Sequence, residues 1–410
     1  MKKQLLSTCI ALSSLGVYAQ STADSVSIEA GYANQTWYSL ENGTLESAPK
    51  NEWDLAFEIN GFASSIRVNH VNGNELWVYP HGDTADWNAV DTAGIESWPL
   101  LINSDTSWAR GAFNVNAEIG NDFDLGWGVY NMVTHHVVGD SIYVINHNGT
   151  YKKLWIVSLA SGAYTFRLAD LNGSNEIVRS LQKTAYPEKN FGYYSIANDA
   201  FLDREPVRQN WDLLFTQYAA IIPNFGGYPS TGVLQNNGVK VAKVYPVEDT
   251  ETYVDYESAD FQTEINSIGY GWKSINMSTF QWDIADSTVY FVESMQGAIW
   301  KLVFTEFGGS ANGNYFFTKE KIVAEEPEGI ADQNDQNTLF EVYPNPVAGG
   351  VMNVVFQNSG TTQLTLCDSH GRLVRQQQIS SEGLQTHTLH TSDLPAGLYF
   401  LTMQADGSHF

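Results

Sequence analysis

The sequence contains none of the residue spacings that most directly indicate catalysis. It has no Gly-x-Ser-x-Gly nucleophile turn, no His-Glu-x-x-His zinc motif and no glycine-rich phosphate loop. Its 46 acidic residues could supply the paired carboxylates of a glycoside hydrolase, but no spacing selects one pair. We therefore predict a protein that is not an enzyme, and we keep a carbohydrate-acting enzyme as the weakest alternative.

The balance of charge restricts the partners. The 46 acidic residues outnumber the 21 basic residues and give a formal net charge of −25. Such a surface repels nucleic acid and anionic membranes, so we expect neither as a partner. Solubility is the simplest role for this charge.

The N-terminus has the pattern of a secretory signal peptide. Lys2 and Lys3 precede an apolar stretch over 5–17, and Val17 and Ala19 stand where a signal peptidase reads small residues. We assign 1–19 as a signal peptide, which predicts export via the periplasm. No other stretch reaches about 18 apolar residues, so an integral membrane protein is not expected. Cleavage after Ala19 would leave Cys367 as the sole cysteine, so the fold must be stabilised without an intramolecular disulfide.

Residues 25–323 contain an internal repeat. Trp-Asp-Leu-Ala-Phe at 53–57 corresponds to Trp-Asp-Leu-Leu-Phe at 211–215, and each follows an aromatic-Tyr-Ser segment by about 15 residues. Four further pairs of similar segments keep the same order, roughly 145 to 158 residues apart. We predict a duplication, with copy one at 25–180 and copy two at 181–323.

Both copies are predicted to form antiparallel β-structure. Short runs rich in β-branched and aromatic residues alternate with turns rich in Gly, Asn and Asp, and no segment keeps a helical apolar period beyond about ten residues. The acidic, polar segment at 324–338 is predicted to be a linker. The predicted fold class is all-β: two tandem related antiparallel β-domains followed by a C-terminal immunoglobulin-like β-sandwich.

Residues 339–410 resemble the C-terminal sorting domain of proteins exported by the type IX secretion system of Bacteroidetes. The resemblance rests on Tyr-Pro-Asn-Pro at 343–346, Gly-Arg-Leu-Val at 371–374 and the segment 394–400. It implies that the type IX secretion machinery recognises the tail and that the product is secreted or held at the outer cell surface. The residues that carry the sorting signal are Tyr343, Pro344, Asn345, Pro346, Gly371, Arg372, Pro395, Gly397 and Tyr399.

The repeated Trp-Asp motif and the closing strands of both copies resemble HmuY-like proteins, which are all-β haem-binding proteins of the same bacterial group. The resemblance implies haem held between two axial His or Met side chains. All five histidines of 25–323 fall in copy one, which is therefore the better candidate for a haem site. The candidate ligands are His70, His81, His135, His136 and Met132.

Simpler interpretations of these residues stand beside the haem hypothesis. A surface or turn position accounts for each histidine, and at most one of His135 and His136 could face a given pocket from a strand. Met132 and Met277 occupy equivalent repeat positions, where packing in the core is the simpler role. The repeated Trp-Asp is predicted to be structural, with the ring in the core and the carboxylate capping a turn or pairing within the sheet.

These features predict a non-enzymatic binding protein that is secreted or attached to the cell surface. Haem, or a haem protein, is the partner that the HmuY-like resemblance implies. The alternative is a surface structural or adhesive protein whose duplicated β-domain has no small-molecule site.

Overall fold

The computed structural model describes residues 21–60, 64–324, 340–343, 347, 350–368, 372–395, 397–405 and 408–409. The chain divides into two compact units, Met1–Glu326 and Pro327–Phe410. The predicted signal peptide and the predicted linker, apart from Ala324, lie outside the described residues. Within the described ranges, no helix combines the length and the apolar character needed to cross a membrane.

The structure confirms the all-β prediction. The longest helix among the described residues is a six-residue 3-10 segment, Thr84–Ala89. The strands of the first unit are β1 (Thr22–Ser27), β2 (Asn34–Ser39), β3 (Gly43–Pro49), β4 (Leu55–Glu58), β5 (Ile66–Val68), β6 (Glu75–Val78), β7 (Gly128–Asn131), β8 (His136–Gly139), β9 (Ile142–His147), β10 (Thr150–Ala160), β11 (Ala163–Asp170), β12 (Ile177–Gln182), β13 (Phe191–Ser195), β14 (Ala200–Leu202), β15 (Leu213–Ile222), β16 (Gly226–Gln235), β17 (Lys240–Val244), β18 (Lys273–Ile275), β19 (Trp282–Ile284), β20 (Val289–Glu293), β21 (Ile299–Phe307) and β22 (Asn314–Val323).

Short helical segments occupy the connections between strands. None of them has the length that would let a helix bury an apolar face of its own. The 3-10 segments are Ala30–Tyr32, His70–Asn72, Thr84–Ala89, Ile95–Ser97, Ala112–Asn114, Lys183–Ala185 and Arg208–Asn210, and the one α-helical turn of the described residues is α1 (Gly309–Asn312).

Two sheets of the first unit each draw mainly on one half of the repeat. The sheet of the first half has the order β12-β11-β10-β8-β7, with β9 pairing β10 and β6 pairing β9. The sheet of the second half has the order β1-β22-β21-β20-β17, so the N-terminal strand closes it beside β22. All pairings are antiparallel, which suits strands joined by short turns.

The two four-stranded sheets exchange strands between the halves of the repeat. Strand β2 pairs with β15 of the second half in the register Tyr38↔Leu213. The equivalent strand of the second half, β13, pairs with β4 of the first half in the register Tyr194↔Leu55. Each aromatic-Tyr-Ser strand therefore lies beside the strand that follows the Trp-Asp motif of the opposite copy.

The exchange gives the first unit two main cores that do not follow the repeat boundaries. One core takes its buried residues from 55–196. The other combines the N-terminal residues 26–40 with 213–317. The division into copies at 25–180 and 181–323 describes equivalent stretches of sequence and stays a prediction, whereas the packing interleaves them.

The two cores repeat the same aromatic contacts. Phe57 stacks on Phe166 with ring centroids 5.5 Å apart, and Phe215 stacks on Phe317 with centroids 5.9 Å apart. Each half also buries one tryptophan completely at the same repeat position, Trp127 and Trp272. Large aromatic rings supply much of the apolar area of this unit, and the one cysteine of the described residues, Cys367, is free.

The second unit is a separate antiparallel sheet. Its strands are β23 (Phe340–Tyr343), β24 (Val351–Asp368), β25 (Leu373–His390), β26 (Tyr399–Ala405) and β27 (Ser408–His409), in the order β23-β24-β26-β27 with β25 also pairing β24. Alternate residues of β24, including Val354, Phe356, Leu364 and Leu366, point into a small core of the unit. The C-terminal unit is thus β-structured, as predicted.

Candidate functional site

Each Trp-Asp motif joins the two halves of the first unit. Asp54 Oδ2 accepts a hydrogen bond from the backbone N–H of Ile196 at 2.7 Å, and Asp212 Oδ2 accepts one from the backbone N–H of Leu40 at 2.7 Å. Each carboxylate thereby fixes the residue that follows the Tyr-Ser pair of the opposite copy. Both aspartates are buried, so the motif forms a structural joint, as the sequence predicted.

A histidine supports the first of these aspartates. His147 Nε2 lies 3.4 Å from Asp54 Oδ1, and the side-chain amide of Asn74 donates to the same oxygen at 2.9 Å. Burial alone raises the pKa of Asp54, but the hydrogen bonds from His147, Asn74 and the N–H of Ile196 outweigh it. The pKa of Asp54 is therefore lowered, and the carboxylate stays charged in the joint.

A buried arginine occupies the seam, which we define as the region where the exchanged strands meet, residues 34–58 and 190–216. The guanidinium carbon of Arg204 lies 5.3 Å from the ring centroids of both Trp37 and Tyr193, and 6.0 Å from that of Trp53. Its Nε donates to Glu52 Oε1 at 3.0 Å. Rings from both halves and an acceptor from the first half thus offset the loss of hydration of this cation.

Glu205 lies next to this arginine in the sequence and is also buried. Its carboxylate accepts hydrogen bonds from the hydroxyl of Tyr193 at 2.7 Å and from the backbone N–H groups of Phe191, at 2.9 Å, and Asn190. Burial raises the pKa of Glu205 to about 7, despite these bonds. The seam therefore contains a carboxyl group that titrates near neutral pH.

A cavity of about 80 Å³, which we call the seam cavity, borders the seam and is also lined by residues outside it. Two polar groups of its lining, Trp211 Nε1 and the hydroxyl of Tyr218, are buried without a hydrogen-bond partner among the described residues. Arg67, another lining residue, donates to the carbonyls of Ser104 at 2.8 Å and Ser107 at 2.9 Å. A space of this size suits a few water molecules and is smaller than most organic-ligand pockets.

Two of the predicted haem ligands are already engaged in local contacts. His70 Nδ1 lies 3.0 Å from the carbonyl of Asn74, and its Nε2 accepts from the N–H of Asn103 at 3.4 Å. Burial lowers the pKa of His70 to about 4, so the ring is neutral with both nitrogens in contacts. His81 is exposed, with Nε2 3.3 Å from the carbonyl of Ala93.

The other candidates lie in or beside one turn between β7 and β8. His135 is exposed there with a φ of 56°, and Tyr130 Oη lies 2.8 Å from its Nδ1. His136 begins β8 and is half-buried, whereas His135 lies in the turn before that strand. Met132 is 64 % exposed and Met277 is 71 % exposed, so the prediction of core packing is wrong for both.

Met132 and Met277 are exposed because an asparagine side chain, rather than apolar packing, organises the turn in which each methionine lies. Asn131 Oδ1 accepts from the N–H groups of Val133 and Thr134 in the first half.

Of the haem candidates, His70 alone lines the seam cavity, and none lines the groove described next. Within the described ranges, no cluster of three His, Cys, Asp or Glu side chains could hold a metal ion.

The larger concave feature is an open groove of about 540 Å³ on the second half, which we call the aromatic groove. It lies along β16, an edge strand of its sheet, facing the β18–β19 hairpin and the 3-10 segment Ala30–Tyr32. Phe225 is 84 % exposed and Tyr228 is 61 % exposed at its rim. The lining consists of Tyr32, Gln217, Ile222, Phe225, Tyr228, Pro229, Ser230, Thr231, Tyr270, Lys273 and Trp282.

The groove offers aromatic surfaces and few acid–base groups. Five aromatic rings offer flat apolar faces with polar edges, which is typical of ligand sites. No acidic side chain belongs to this described lining, and Lys273 is its one basic residue. Exposed rings in one concave patch are unusual on a soluble protein surface unless something covers them.

Sequence reasoning missed this groove because its residues are scattered over 32–282. The signals that could have found it are local. The tip of the β15–β16 hairpin places Phe225 and Tyr228 around two glycines, where a turn would need only small polar residues. Lys273 also replaces Gly128, its counterpart in the repeat, and so marks a feature that only the second half has.

The described residues of the predicted sorting signal are mostly at the surface. Arg372 Nε donates to Asp368 Oδ2 at 3.0 Å across the β24–β25 turn. The hydroxyl of Tyr399 donates to the carbonyl of Pro395 at 2.9 Å, which closes the loop before β26, and Gly397 of that loop is exposed. Tyr343 ends β23. Pro344, Asn345, Pro346 and Gly371 lie outside the described residues.

Comparison with known proteins identifies the C-terminal unit. No curated protein matches the chain. The HmuY-like resemblance of 25–323 therefore gains no support beyond the residues quoted for it. Residues 341–410 match the family described as the secretion system C-terminal sorting domain, which supports the assignment of the chain as type IX secretion cargo.

Proposed function

We propose that this chain is a non-enzymatic binding protein that the sorting domain delivers to the outside of the cell, and that the aromatic groove is its ligand site. The sorting domain implies export and an interaction with the type IX secretion machinery. The observation that supports the binding role is the groove itself. Its volume, about 540 Å³, falls within the usual range of ligand sites, whereas the seam cavity does not.

The lining favours a saccharide as the ligand. A sugar ring has an apolar face that can stack on an aromatic ring and hydroxyl groups that need polar neighbours. The groove combines both kinds of partner, with Phe225, Tyr228 and Trp282 as rings and Gln217, Ser230 and Thr231 as polar groups. The net charge of −25 makes a strongly anionic polysaccharide an unfavourable partner, so a neutral glycan is the expected class.

Binding of neutral oligosaccharides to the intact protein tests this function. Phe225→Ala and Tyr228→Ala should each weaken binding at least about tenfold, since buried aromatic contacts carry much of the energy of such sites. Phe123→Ala is the matched control, because Phe123 is also exposed (43 %) but lies outside the groove lining. Equal binding by all three variants would place the ligand elsewhere and refute the proposal.

The same protein preparation tests whether the chain binds haem, the ligand implied by the HmuY-like resemblance. The described structure brings no two of the candidate ligands into either cavity, so we expect no sharp Soret band on titration with haemin. A sharp band that His135→Ala or His136→Ala abolishes would favour haem over the glycan. If neither a glycan nor haem binds, the alternative of a surface structural or adhesive protein is favoured.

A further inference from the structure

The aromatic groove contains one side chain with nucleophilic chemistry. Lys273 begins β18, lines the groove and is only 9 % exposed as a residue. Its counterpart in the first half is Gly128, so the fold does not require a lysine at this position. The other titratable side chains of the lining are Tyr32, Tyr228 and Tyr270.

The amine has an unusual set of neighbours for a lysine. Its Nζ donates to the carbonyl oxygen of Thr231 on the edge strand β16. It lies 4.6 Å from the ring centroids of both Trp272 and Phe307, and 5.7 Å from that of Trp282. No carboxylate pairs with it among the described residues.

Desolvation without a counter-ion changes the protonation of this lysine. Burial lowers the pKa of Lys273 to about 7, and no opposing charge is near enough to restore it. A substantial fraction of the side chain is then the neutral amine at neutral pH, whereas an ordinary lysine is almost wholly protonated. Neutral buried amines of this kind are the lysines that react with carbonyl compounds.

We propose that Lys273 forms a reversible imine with an aldehyde-bearing ligand held in the aromatic groove, an inference that rests on the groove being the ligand site. The lone pair of Nζ attacks the carbonyl carbon to give a carbinolamine, and loss of water gives the C=N bond. Amine and aldehyde become imine and water, so the step needs no oxidant or reductant. The proton of the ammonium form leaves to solvent before the attack.

Besides the amine, imine formation requires a surface that holds the ligand near the lysine, and the groove provides one. Its rings can hold the body of a ligand while the carbonyl reaches the lysine at the inner wall, which raises the effective concentration of the aldehyde. The open chain of a reducing sugar and an aromatic aldehyde both have this chemistry. The covalent bond would add residence time to a site that otherwise depends on stacking.

Reductive trapping on the wild-type protein tests the proposal directly. The intact protein is incubated with 4-hydroxybenzaldehyde and cyanoborohydride near pH 7, and modified lysines are mapped by peptide mass spectrometry. We expect Lys273 to be modified at least about tenfold faster than Lys243, an exposed lysine outside the groove. The rate at Lys273 should also level off above about pH 8, where its amine is mostly neutral. Equal rates at the two lysines would overturn the proposal.

Variants separate this inference from the proposed function. Lys273→Met keeps the aliphatic stem and Lys273→Arg keeps a charge, and both should lose the trapped adduct while their circular dichroism stays that of the wild type. If Lys273 is not labelled but Phe225→Ala still abolishes glycan binding, the imine is wrong and the groove function stands. If Lys273 is labelled while glycans do not bind, the imine stands and the glycan is wrong. Should either variant misfold, the wild-type comparison of Lys273 with Lys243 still decides.

Discussion

At the scale of single residues, two aspartates hold the exchanged strands in place. Asp54 and Asp212 occupy the same position in the repeat, and each accepts a 2.7 Å hydrogen bond from a backbone N–H of the opposite copy. A buried carboxylate that accepts from backbone amides contributes more than a neutral bond would. Because the two aspartates make equivalent hydrogen bonds in opposite directions, removing either carboxylate should destabilise the same seam.

Asp54→Asn and Asp212→Asn should each lower the free energy of unfolding by about 1.5–3 kcal/mol, because an amide presents one acceptor and adds an unmatched donor. Urea denaturation followed by tryptophan fluorescence would measure the change. Asp122→Asn is the control, since Asp122 is exposed and should leave stability within about 0.5 kcal/mol of wild type. Wild-type stability in both seam variants would contradict the structural role of the motif.

Glu205 should make stability depend on pH in a direction opposite to most carboxylates. Its pKa is about 7 in the folded protein against 4.5 when unperturbed, so the folded state binds the proton more tightly. The stabilisation is complete below about pH 4.5 and is lost as pH rises through about 7. Between pH 5 and 8, wild type should lose on the order of 2–3 kcal/mol relative to Glu205→Gln. Parallel stability curves for the two proteins would refute this.

Residue roles were predictable from sequence where one residue type has one common use. The Trp-Asp pairs were predicted correctly as structural because the residues that follow them, Leu-Ala-Phe and Leu-Leu-Phe, are apolar and suit a buried strand. The roles of the histidines were not predictable, because an imidazole serves equally as a ligand, a hydrogen-bond partner or a turn residue. His147 supports Asp54, and His70 spans Asn74 and Asn103, neither of which the spacing could reveal.

At the scale of elements, the sequence identified equivalent strands but not their partners. Strands β2 and β13 share the aromatic-Tyr-Ser ending that the repeat revealed, and each pairs with the Trp-Asp strand of the opposite copy. The repeat pattern by itself is compatible with pairing within a copy and with pairing across copies. Chain connectivity decides between them, and a repeat pattern contains no information about that choice.

The exchange predicts which fragments of the first unit fold. Residues 51–207 contain every residue of one main core, whereas 25–180, the stretch suggested by the repeat, lacks β13 and β14. We expect 51–207 to unfold cooperatively on heating and 25–180 to show no cooperative transition by near-ultraviolet circular dichroism. Cooperative unfolding of 25–180 alone would show that each copy pairs within itself.

At the scale of the whole molecule, the proposed ligand site and the sorting domain lie in different units. The first unit has the concave, aromatic surface, and the family match is confined to 341–410. No residue of the groove lining belongs to the sorting unit, so we expect ligand binding and export to be separable. Modular separation of this kind lets one delivery domain serve unrelated cargo.

Deleting 341–410 should therefore abolish appearance of the protein outside the cell without unfolding the first unit. Immunoblots of cell and medium fractions from a type IX-competent host would show the truncated protein retained, and we expect it in the periplasm. Phe225→Ala is the control, because it alters the groove and should be exported like the wild type. Normal release of the truncated protein would remove the tail from the export route.

The pairing of β1 with β22 has a consequence for synthesis. Thr22 lies opposite Lys319, 297 residues later in the chain. At about 5–20 residues per second, a ribosome needs roughly 15–60 s to make that interval, during which the earliest strand has no neighbour to complete. The residues between them can collapse first, and β1 can dock only once β22 has been made.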